Sequence, residues 1–274
     1  MVKVTLHNHF RTRSNFKPED FNRIVDLAYE GLGRGAIVGI TNFTSGENAF
    51  NYERVTGFRG YKRDYIGGEK GNAIFVPEKE ITLIKTQEIP TKQGHVLVPG
   101  GERGKNLKPD KNLEYTLKEA EEINSKTFLV HLYSGSGVFH YIKDNMHWLN
   151  YVGGIEIQNG EAVLSRIGVT PIDANRKSRE FYREAVKKYP HLIPLVSSDG
   201  HSFYEFRENW VEISDIDRSS PEKLIESLMI NLRTPSRFQT HNAPLRAAMH
   251  IVEIEATVAL AKVGLYDSET GKVK

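Results

Sequence analysis

The run VKVTLHNH at residues 2–9 joins a strand-like segment to a pair of histidines. Val2–Leu6 is rich in β-branched residues, which predicts a strand. A helix is predicted at Pro18–Gly31, because proline and acidic residues in its first turn favour a helix start. Ala36–Thr41, with the sequence AIVGIT, is apolar enough for a buried strand. The chain therefore opens with a strand–helix–strand unit.

The same alternation continues along the chain. Further strands are predicted at Ile74–Val76, Ile81–Ile89, His95–Val98, Thr127–His131, Gly154–Ile157, Ile193–Ser197 and Trp210–Ile213. Further helices are predicted at Thr116–Ser125, Val138–Leu149, Asn175–Lys188 and Pro221–Leu232. Alternating strands and helices predict an α/β protein with a mostly parallel sheet, and this many units favour a closed barrel. The extra strands before His95 make that barrel irregular.

The length of 274 residues suits one barrel domain at residues 1–235. Residues 236–274 form a C-terminal extension, in which the alanine-rich stretch Ala243–Val263 is predicted to be helical. We expect this extension to pack on the barrel or to mediate oligomerisation. The polar stretch Pro99–Asn112 is the best candidate for a mobile loop over a site.

The composition excludes several kinds of site. The chain has no cysteine, so disulfides and thiolate metal ligands are excluded. The net charge of +2 is too small to favour a nucleic-acid partner through bulk electrostatics. There is no apolar stretch of about 20 residues and no secretory leader, so we expect a cytoplasmic protein without membrane contact. The sequence leaves the oligomeric state open.

Histidines and carboxylates stand at the ends of the predicted strands. The strand-end residues are His7, His9, Glu88, His95, His131, Asp199 and His201. The ends of parallel strands converge on one face of a barrel, so these side chains are predicted to meet there. Mixed imidazole and carboxylate ligands favour Zn, Mn or Fe over Mg or Ca. A single strand-end histidine is more often structural, and only the conjunction of all seven indicates a metal site.

The sequence resembles the polymerase and histidinol phosphatase (PHP) superfamily. The matching motifs, in order, are LHNH, GITNF, TQEIPTKQGHVLV, FLVHLYSG, GIEIQNG and SSDGHS, within residues 3–233. The resemblance implies a distorted (β/α)7 barrel and hydrolysis of phosphate esters with up to three bound metals.

The resemblance also implies roles for individual residues. His7, His9, Glu88 and Asp199 match ligands of a first metal. Glu88 would also bridge to a second metal, which His95 and His131 complete, and His201 matches a ligand of a third.

The third site departs from the family pattern at Asn15 and in the pair Asn42–Phe43. A phenylalanine cannot bind a cation, so we expect two divalent metals and an absent or weak third site. His201 is then left as a proton donor, a phosphate contact or a vestige.

On this basis we expect hydrolysis of a phosphomonoester or phosphodiester by a hydroxide that bridges the two metals. His201 is the candidate general acid. The substrate would be a phosphorylated small molecule or a nucleotide. Arg11, Arg13 and Arg176 are candidates for binding its phosphate, although each can equally be a solvated surface charge. Glu156 and Asn159 are expected to support the ligands or line the pocket, without binding metal.

A second interpretation stays open. A barrel without its third metal site could have lost catalysis and act as a structural, interaction or nucleic-acid-binding module. The stretch NYERVTGFRGYKRDY at residues 51–65 interleaves aromatic and basic residues, as surfaces that stack on bases and contact phosphates do. The same stretch is compatible with an ordinary helix and loop packed on the barrel.

Overall fold

One curved sheet organises the molecule. The computed structural model describes residues 1–10, 16–160, 173–203, 205–240, 266–267 and 272–273. The strands are β1 (Val2–Thr5), β2 (Ile37–Phe43), β3 (Asp64–Ile66), β4 (Ala73–Val76), β5 (Ile81–Thr91), β6 (Gly94–Pro99), β7 (Phe128–Leu129), β8 (Gly154–Asn159), β9 (Ile193–Ser197), β10 (Trp210–Ile213), β11 (Arg237–Gln239), β12 (Tyr266–Asp267) and β13 (Lys272–Val273). The helices are α1 (Asp20–Leu32), α2 (Asn51–Gly57), α3 (Leu113–Glu122), α4 (Phe139–Ile142), α5 (Ala174–Lys188) and α6 (Pro221–Leu232).

Eleven strands pair in the order β11-β10-β1-β2-β5-β6-β7-β8-β9, with β4 paired to β5 at the side and β3 paired to β4. β10 also lies beside β9, so the sheet curves into a nearly closed barrel. The prediction of an α/β barrel is confirmed. The strand β10 and the helix α6 have the bounds that the sequence predicted. β12 and β13 form a separate antiparallel pair.

The expectation of a mostly parallel sheet is wrong. β1, β2 and β5 are parallel neighbours, as are β7, β8 and β9, but β4, β6 and β10 run antiparallel to the strands beside them. For β6 the reason is a tight turn between Thr91 and Gly94, which sends it straight back along β5 without a crossover helix. Gly94 has a φ of 133°, and a Cβ there would lie 2.8 Å from the backbone of Gly137, so only glycine fits.

The predicted helix at Val138–Leu149 is interrupted. α4 covers only Phe139–Ile142, and a 3₁₀ turn follows at Met146–Asn150. Asn145 lies between them with a non-helical backbone, and its side-chain amide donates to the carbonyl oxygen of Tyr141. Asparagine competes with the helix for backbone hydrogen bonds in this way, which explains the break.

The polar stretch predicted to lie over a site lies elsewhere. Residues 100–112 run along the outer face of β5, where Lys85 donates to the carbonyl oxygen of Glu102 and Gln87 donates to that of Gly100. The amide nitrogen of Leu107 donates to the side-chain oxygen of Gln87. The stretch therefore covers a strand that a crossover helix would cover in a regular barrel.

The chain beyond residue 235 begins with β11, which pairs antiparallel with β10. The predicted helix at Ala243–Val263 lies outside the described residues. Among the described helices, none combines the length and the apolar composition that crossing a bilayer requires.

Candidate metal centre

Seven metal-competent side chains meet at one rim of the barrel. They are His7, His9, Glu88, His95, His131, Asp199 and His201. β1, β7 and β9 deliver their residues just past their carboxyl ends, and β5 delivers Glu88 three residues before its own end. β6 delivers His95 near its start, because an antiparallel strand begins at the rim where its neighbours end. The segments after β1 and β9 are joined directly, since the amide nitrogen of His9 donates to the carbonyl oxygen of Gly200 over 2.8 Å.

Glu88 divides its two carboxylate oxygens between two sets of imidazoles. Its Oε2 lies 2.8 Å from His9 Nε2 and 3.4 Å from His7 Nε2. Its Oε1 lies 2.7 Å from His95 Nδ1 and 2.9 Å from His131 Nε2. A carboxylate with one oxygen in each set has the arrangement of a ligand that bridges two cations.

The first set also contains Asp199. Its Oδ1 lies 3.3 Å from His7 Nε2 and 3.5 Å from His9 Nε2, and the two Nε2 atoms lie 3.3 Å apart. Bonds of 2.0–2.2 Å in a tetrahedral site place neighbouring ligand atoms about 3.3–3.6 Å apart. Asp199 Oδ1 is buried and makes no hydrogen bond within the described part of the chain. The donor atoms therefore fit a divalent cation between them.

A layer of hydrogen bonds around the candidate ligands fixes their orientation. Glu156 Oε1 lies 3.2 Å from His7 Nδ1, which turns Nε2 towards the cluster. Glu156 Oε2 accepts from the amide nitrogen of His131 and from the side chain of Asn159. Asn159 also donates to Asp199 Oδ2 over 3.0 Å. Such contacts set the tautomer and basicity of metal ligands.

Residues after β7 and in β9 add to this layer, although no sequence pattern singled them out. The hydroxyls of Ser134 and Ser136 lie 3.0 and 3.3 Å from His131 Nδ1. The hydroxyl of Ser197 donates to Glu156. The small polar residues of LYSGSG after His131 were the available signal, but hydroxyls in a turn are too common to identify a role.

The backbone is strained at two of the candidate ligand positions. His131 has a φ of 30° and Asp199 a φ of 49°, in the left-handed region that non-glycine residues rarely adopt. Strain of this kind costs about 1–3 kcal/mol per residue and concentrates at functional sites. The two strained residues therefore support the assignment of this rim as the site.

The carboxylates of the cluster are held in their charged form. Burial alone would raise the pKa of Glu88, but hydrogen bonds from His131, His7 and His9 lower that pKa well below its ordinary value. Burial opposes charge on Asp199 as well, and the nearby His7 and His201 lower its pKa. The rim therefore carries buried negative charge, which favours a cation.

The pKa values of His7 and His9 shift in opposite directions. Burial would lower the pKa of His7, but the charge of Asp199 and the hydrogen bonds to Glu156 and Glu88 raise it well above the ordinary value. The pKa of His9 is lowered, because burial outweighs its hydrogen bond to Glu88. In the metal-free chain, a proton on His7 thus balances part of the carboxylate charge that a cation would balance.

Comparison with solved structures shows the same architecture elsewhere. PsfC from Pseudomonas syringae matches with a TM-score of 0.55 and 13% identity, over 93% of this chain and 98% of that one. A two-domain protein from Bacteroides vulgatus, described as containing a predicted PHP-like metal-dependent phosphoesterase, matches with a TM-score of 0.50 and 16% identity, over 91% of this chain and 69% of that one. The chain has the PHP fold. Endonuclease Q bound to a DNA duplex with an abasic lesion matches with a TM-score of 0.49 and 14% identity, over 87% of this chain and 58% of that one.

No model of a known protein family matches the sequence, and no curated protein matches it. At such low identity the structural likeness establishes the fold alone. The function of this PHP fold therefore has to be argued from its site.

The third set of candidate ligands is incomplete. His201 stacks on His9 with ring centroids 4.8 Å apart, and it forms a group with His9 and Asp199. Phe43 lies next to this group without any ligand atom. Asn42 points elsewhere, since its side chain donates to Glu53 and to Asn106. Asn15 lies outside the described residues.

Among the described residues, no predicted phosphate-binding arginine contacts the cluster. Arg11 and Arg13 lie outside the described residues. Arg176 is half exposed at the start of α5, where its guanidinium donates to Asp173 and Glu180 over 2.7 Å each. A role for Arg176 in holding phosphate would require these two ion pairs to open.

Proposed function

We propose that this chain is a metal-dependent phosphoesterase that hydrolyses a phosphomonoester or phosphodiester of a small molecule or nucleotide. The observation that carries the proposal is the division of Glu88 between two sets of imidazoles, with Oε2 2.8 Å from His9 and Oε1 2.7 Å from His95. A single carboxylate shared in this way has little use in a site for one cation. It suits a pair of cations that hold one phosphate between them.

The ligand assignments of the proposal follow the two halves of the cluster. The first cation would be held by His7, His9, Asp199 and Glu88, and the second by Glu88, His95 and His131. The mixed nitrogen and oxygen donors favour Zn, Mn or Fe. When bound, such cations neutralise phosphate oxygens and make a water molecule between them acidic enough to attack phosphorus at neutral pH.

The residues of the chain supply positioning and proton transfer. Glu156 and Asn159 hold His7 and Asp199 in place. In the hydrolysis, the P–O bond to water forms as the bond to the ester oxygen breaks, and the departing oxygen needs a proton. His201, stacked on His9 at the rim, is our candidate donor of that proton.

The aromatic and basic stretch does not favour the alternative of a nucleic-acid-binding module. Tyr52 is fully buried, and the hydroxyl of Tyr61 donates to Asp26. Arg63 donates to the carbonyl oxygens of Thr56 and Phe58. These side chains are used to pack the chain on itself. Oligonucleotides stay among the phosphodiesters to be assayed.

Elemental analysis and activity of the same preparations test the proposal. We expect two cations per chain after loading with Mn or Zn, and metal-dependent release of phosphate from a chromogenic monoester, or of the alcohol from a diester. The double variant Glu88→Ala, Asp199→Ala should lose both the cations and the activity. Glu184→Gln removes a carboxylate whose side chain is 73% exposed, so it is the matched control and should keep both. Fewer than one bound cation in the loaded wild type, or full activity in the double variant, would contradict the proposal.

A further inference from the structure

The ring of Phe43 forms part of the wall of the metal centre. Phe43 ends β2, where it stands in register with Glu88 on the neighbouring strand β5. Its ring centroid lies 5.4 Å from that of His95 and 6.3 Å from that of His9, and it meets both imidazoles edge to face. The side chain is half-buried, so part of the ring stays accessible from outside.

The two imidazoles that Phe43 contacts belong to different halves of the cluster. His9 belongs to the set around Oε2 of Glu88, and His95 to the set around Oε1. The ring therefore borders both halves along the same side of the site. A phosphate held between the halves carries an organic group that must leave the cluster past its rim, where Phe43 supplies an apolar surface.

An apolar ring at this place discriminates between organic groups. A flat, apolar group gains contact area against it, and two aromatic rings attract each other beyond the effect of burial itself. A polyol would lose hydrogen bonds to water there and gain none from the ring. The neighbourhood of Phe43 thus favours one class of ester over the other.

We propose that Phe43 is a specificity-determining residue that selects phosphoesters of aryl or similarly flat, apolar groups. The inference rests on the proposed function, because it places the substrate phosphate between the two halves of the cluster. It adds the chemical class of the organic group, which the metal ligands do not determine.

The test measures binding of two phosphonates that cannot be hydrolysed. Phenylphosphonate and methylphosphonate are titrated calorimetrically into protein loaded with Mn or Zn. We expect the wild type to bind the phenyl compound about tenfold more tightly, and Phe43→Ala to reduce the preference to about twofold. Phe238→Ala removes a ring from β11, away from the site, and should keep the wild-type preference.

Two measurements guard against a trivial result. The cation content of Phe43→Ala must equal that of the wild type, which shows that the site is still formed. Phe43→Leu keeps an apolar side chain without the ring and should give an intermediate preference even if the alanine variant does not fold. Equal affinity for both phosphonates in the wild type, an unchanged preference in the variants, or no binding of either compound overturns the inference. The binding measurement needs no turnover. A loaded protein that discriminates as expected but hydrolyses no ester would therefore contradict the proposed function without contradicting the role of Phe43 in discrimination.

Discussion

The two faces of β5 carry polar side chains of very different character. Lys85 and Gln87 point outward, and Thr86 and Glu88 point into the barrel, because successive residues of a strand alternate. All four are buried. Yet the outer pair is satisfied by the chain alone, whereas the inner face ends in a cluster that the chain alone does not balance.

On the outer face every polar atom has a complementary partner. Lys85 Nζ lies 3.1 Å from Glu53 and donates to the carbonyl oxygens of Glu102 and Lys105. Gln87 donates to Gly100 and accepts from Leu107. Each donor here faces an acceptor, so this face of β5 holds residues 100–112 against the strand.

On the inner face, atoms of the same kind face each other. His7 Nε2 and His9 Nε2 lie 3.3 Å apart, and both approach oxygens of Glu88 and Asp199. Lone pairs that converge in this way need a proton or a cation between them. The comparison teaches that burial alone does not distinguish structural from functional polar groups, whereas the complementarity of their partners does.

Glu88→Gln, which changes only the inner face, should produce the largest effect on activity. The amide keeps the shape but removes the charge shared by both halves of the cluster. Loss of several kcal/mol of cation-derived stabilisation lowers the rate by about a thousandfold or more. Steady-state hydrolysis of the best ester, with the cation content measured in parallel, checks this.

The control lies one residue away on the other face. Gln87→Ala should lower stability but keep two cations and most of the activity. If Gln87→Ala and Glu88→Gln impaired cation binding equally, the distinction between the two faces would be wrong.

Lys85→Met should give the largest effect on stability. Lys85 is fully buried, and its removal leaves the carboxylate of Glu53 without its cation. Breaking a buried pair from one side costs about 3–5 kcal/mol, and we expect about 3 because Glu53 keeps hydrogen bonds from Gly104 and Asn42. Urea denaturation of the metal-free protein measures the free energy of unfolding.

The companion variant Lys85→Met, Glu53→Gln removes both charges, so it should be more stable than the single variant. A single variant as stable as the wild type would show that the contacts of Lys85 contribute nothing to the free energy of unfolding.

The sequence predicts the inner face much better than the outer one. Glu88, His131 and Asp199 stand where β-branched runs end, and parallel strands bring such ends together whatever the details of packing. His95 was found by the same pattern, although its strand runs in the opposite direction. The hairpin with β5 brings its start to the rim, so His95 lies beside Glu88 although the sheet is not mostly parallel.

The outer face depends on partners that no pattern reveals. Lys85 and Gln87 bind backbone atoms of residues 100–107, and a carbonyl oxygen is the same in every residue type. A polar stretch rich in glycine therefore predicts a loop but not the strand against which it packs. The role of Phe43 was only partly predictable from the sequence. Its lack of ligand atoms within the GITNF motif indicated a missing metal ligand, but not that its ring borders the site.

Glu156→Gln should give an intermediate effect on the inner face. Glu156 contacts His7 Nδ1 and the amide nitrogen of His131, but it is not itself in either set of ligand atoms. Removing a hydrogen-bond partner of a metal-bound histidine typically lowers metal affinity 10–100-fold. Competition with a chromogenic chelator measures that affinity, and we expect full activity at saturating metal. An affinity equal to that of the wild type would show that Glu156 does not position His7.

The smallest effect is on the pH dependence of the metal-free chain. The pKa of His7 lies well above 6.5 in the folded state, so its contribution to stability is fully present below pH 6.5 and is lost as the pH rises through the folded pKa. The pKa of Glu88 is lowered, so its contribution is present above pH 4.5 and is lost as the pH falls through the folded pKa. In chelator, the free energy of unfolding should therefore decline above pH 6.5. With Mn or Zn the decline should disappear, because the cation replaces the proton on His7 and binds more tightly as protons become scarce.

His7→Asn should flatten the decline, whereas His191→Asn, which changes a histidine bound to the carbonyl oxygen of Leu149, should keep it. The same pH profile with and without chelator would mean that no cation takes the place of that proton, and the inner face of β5 would then be as self-contained as the outer one.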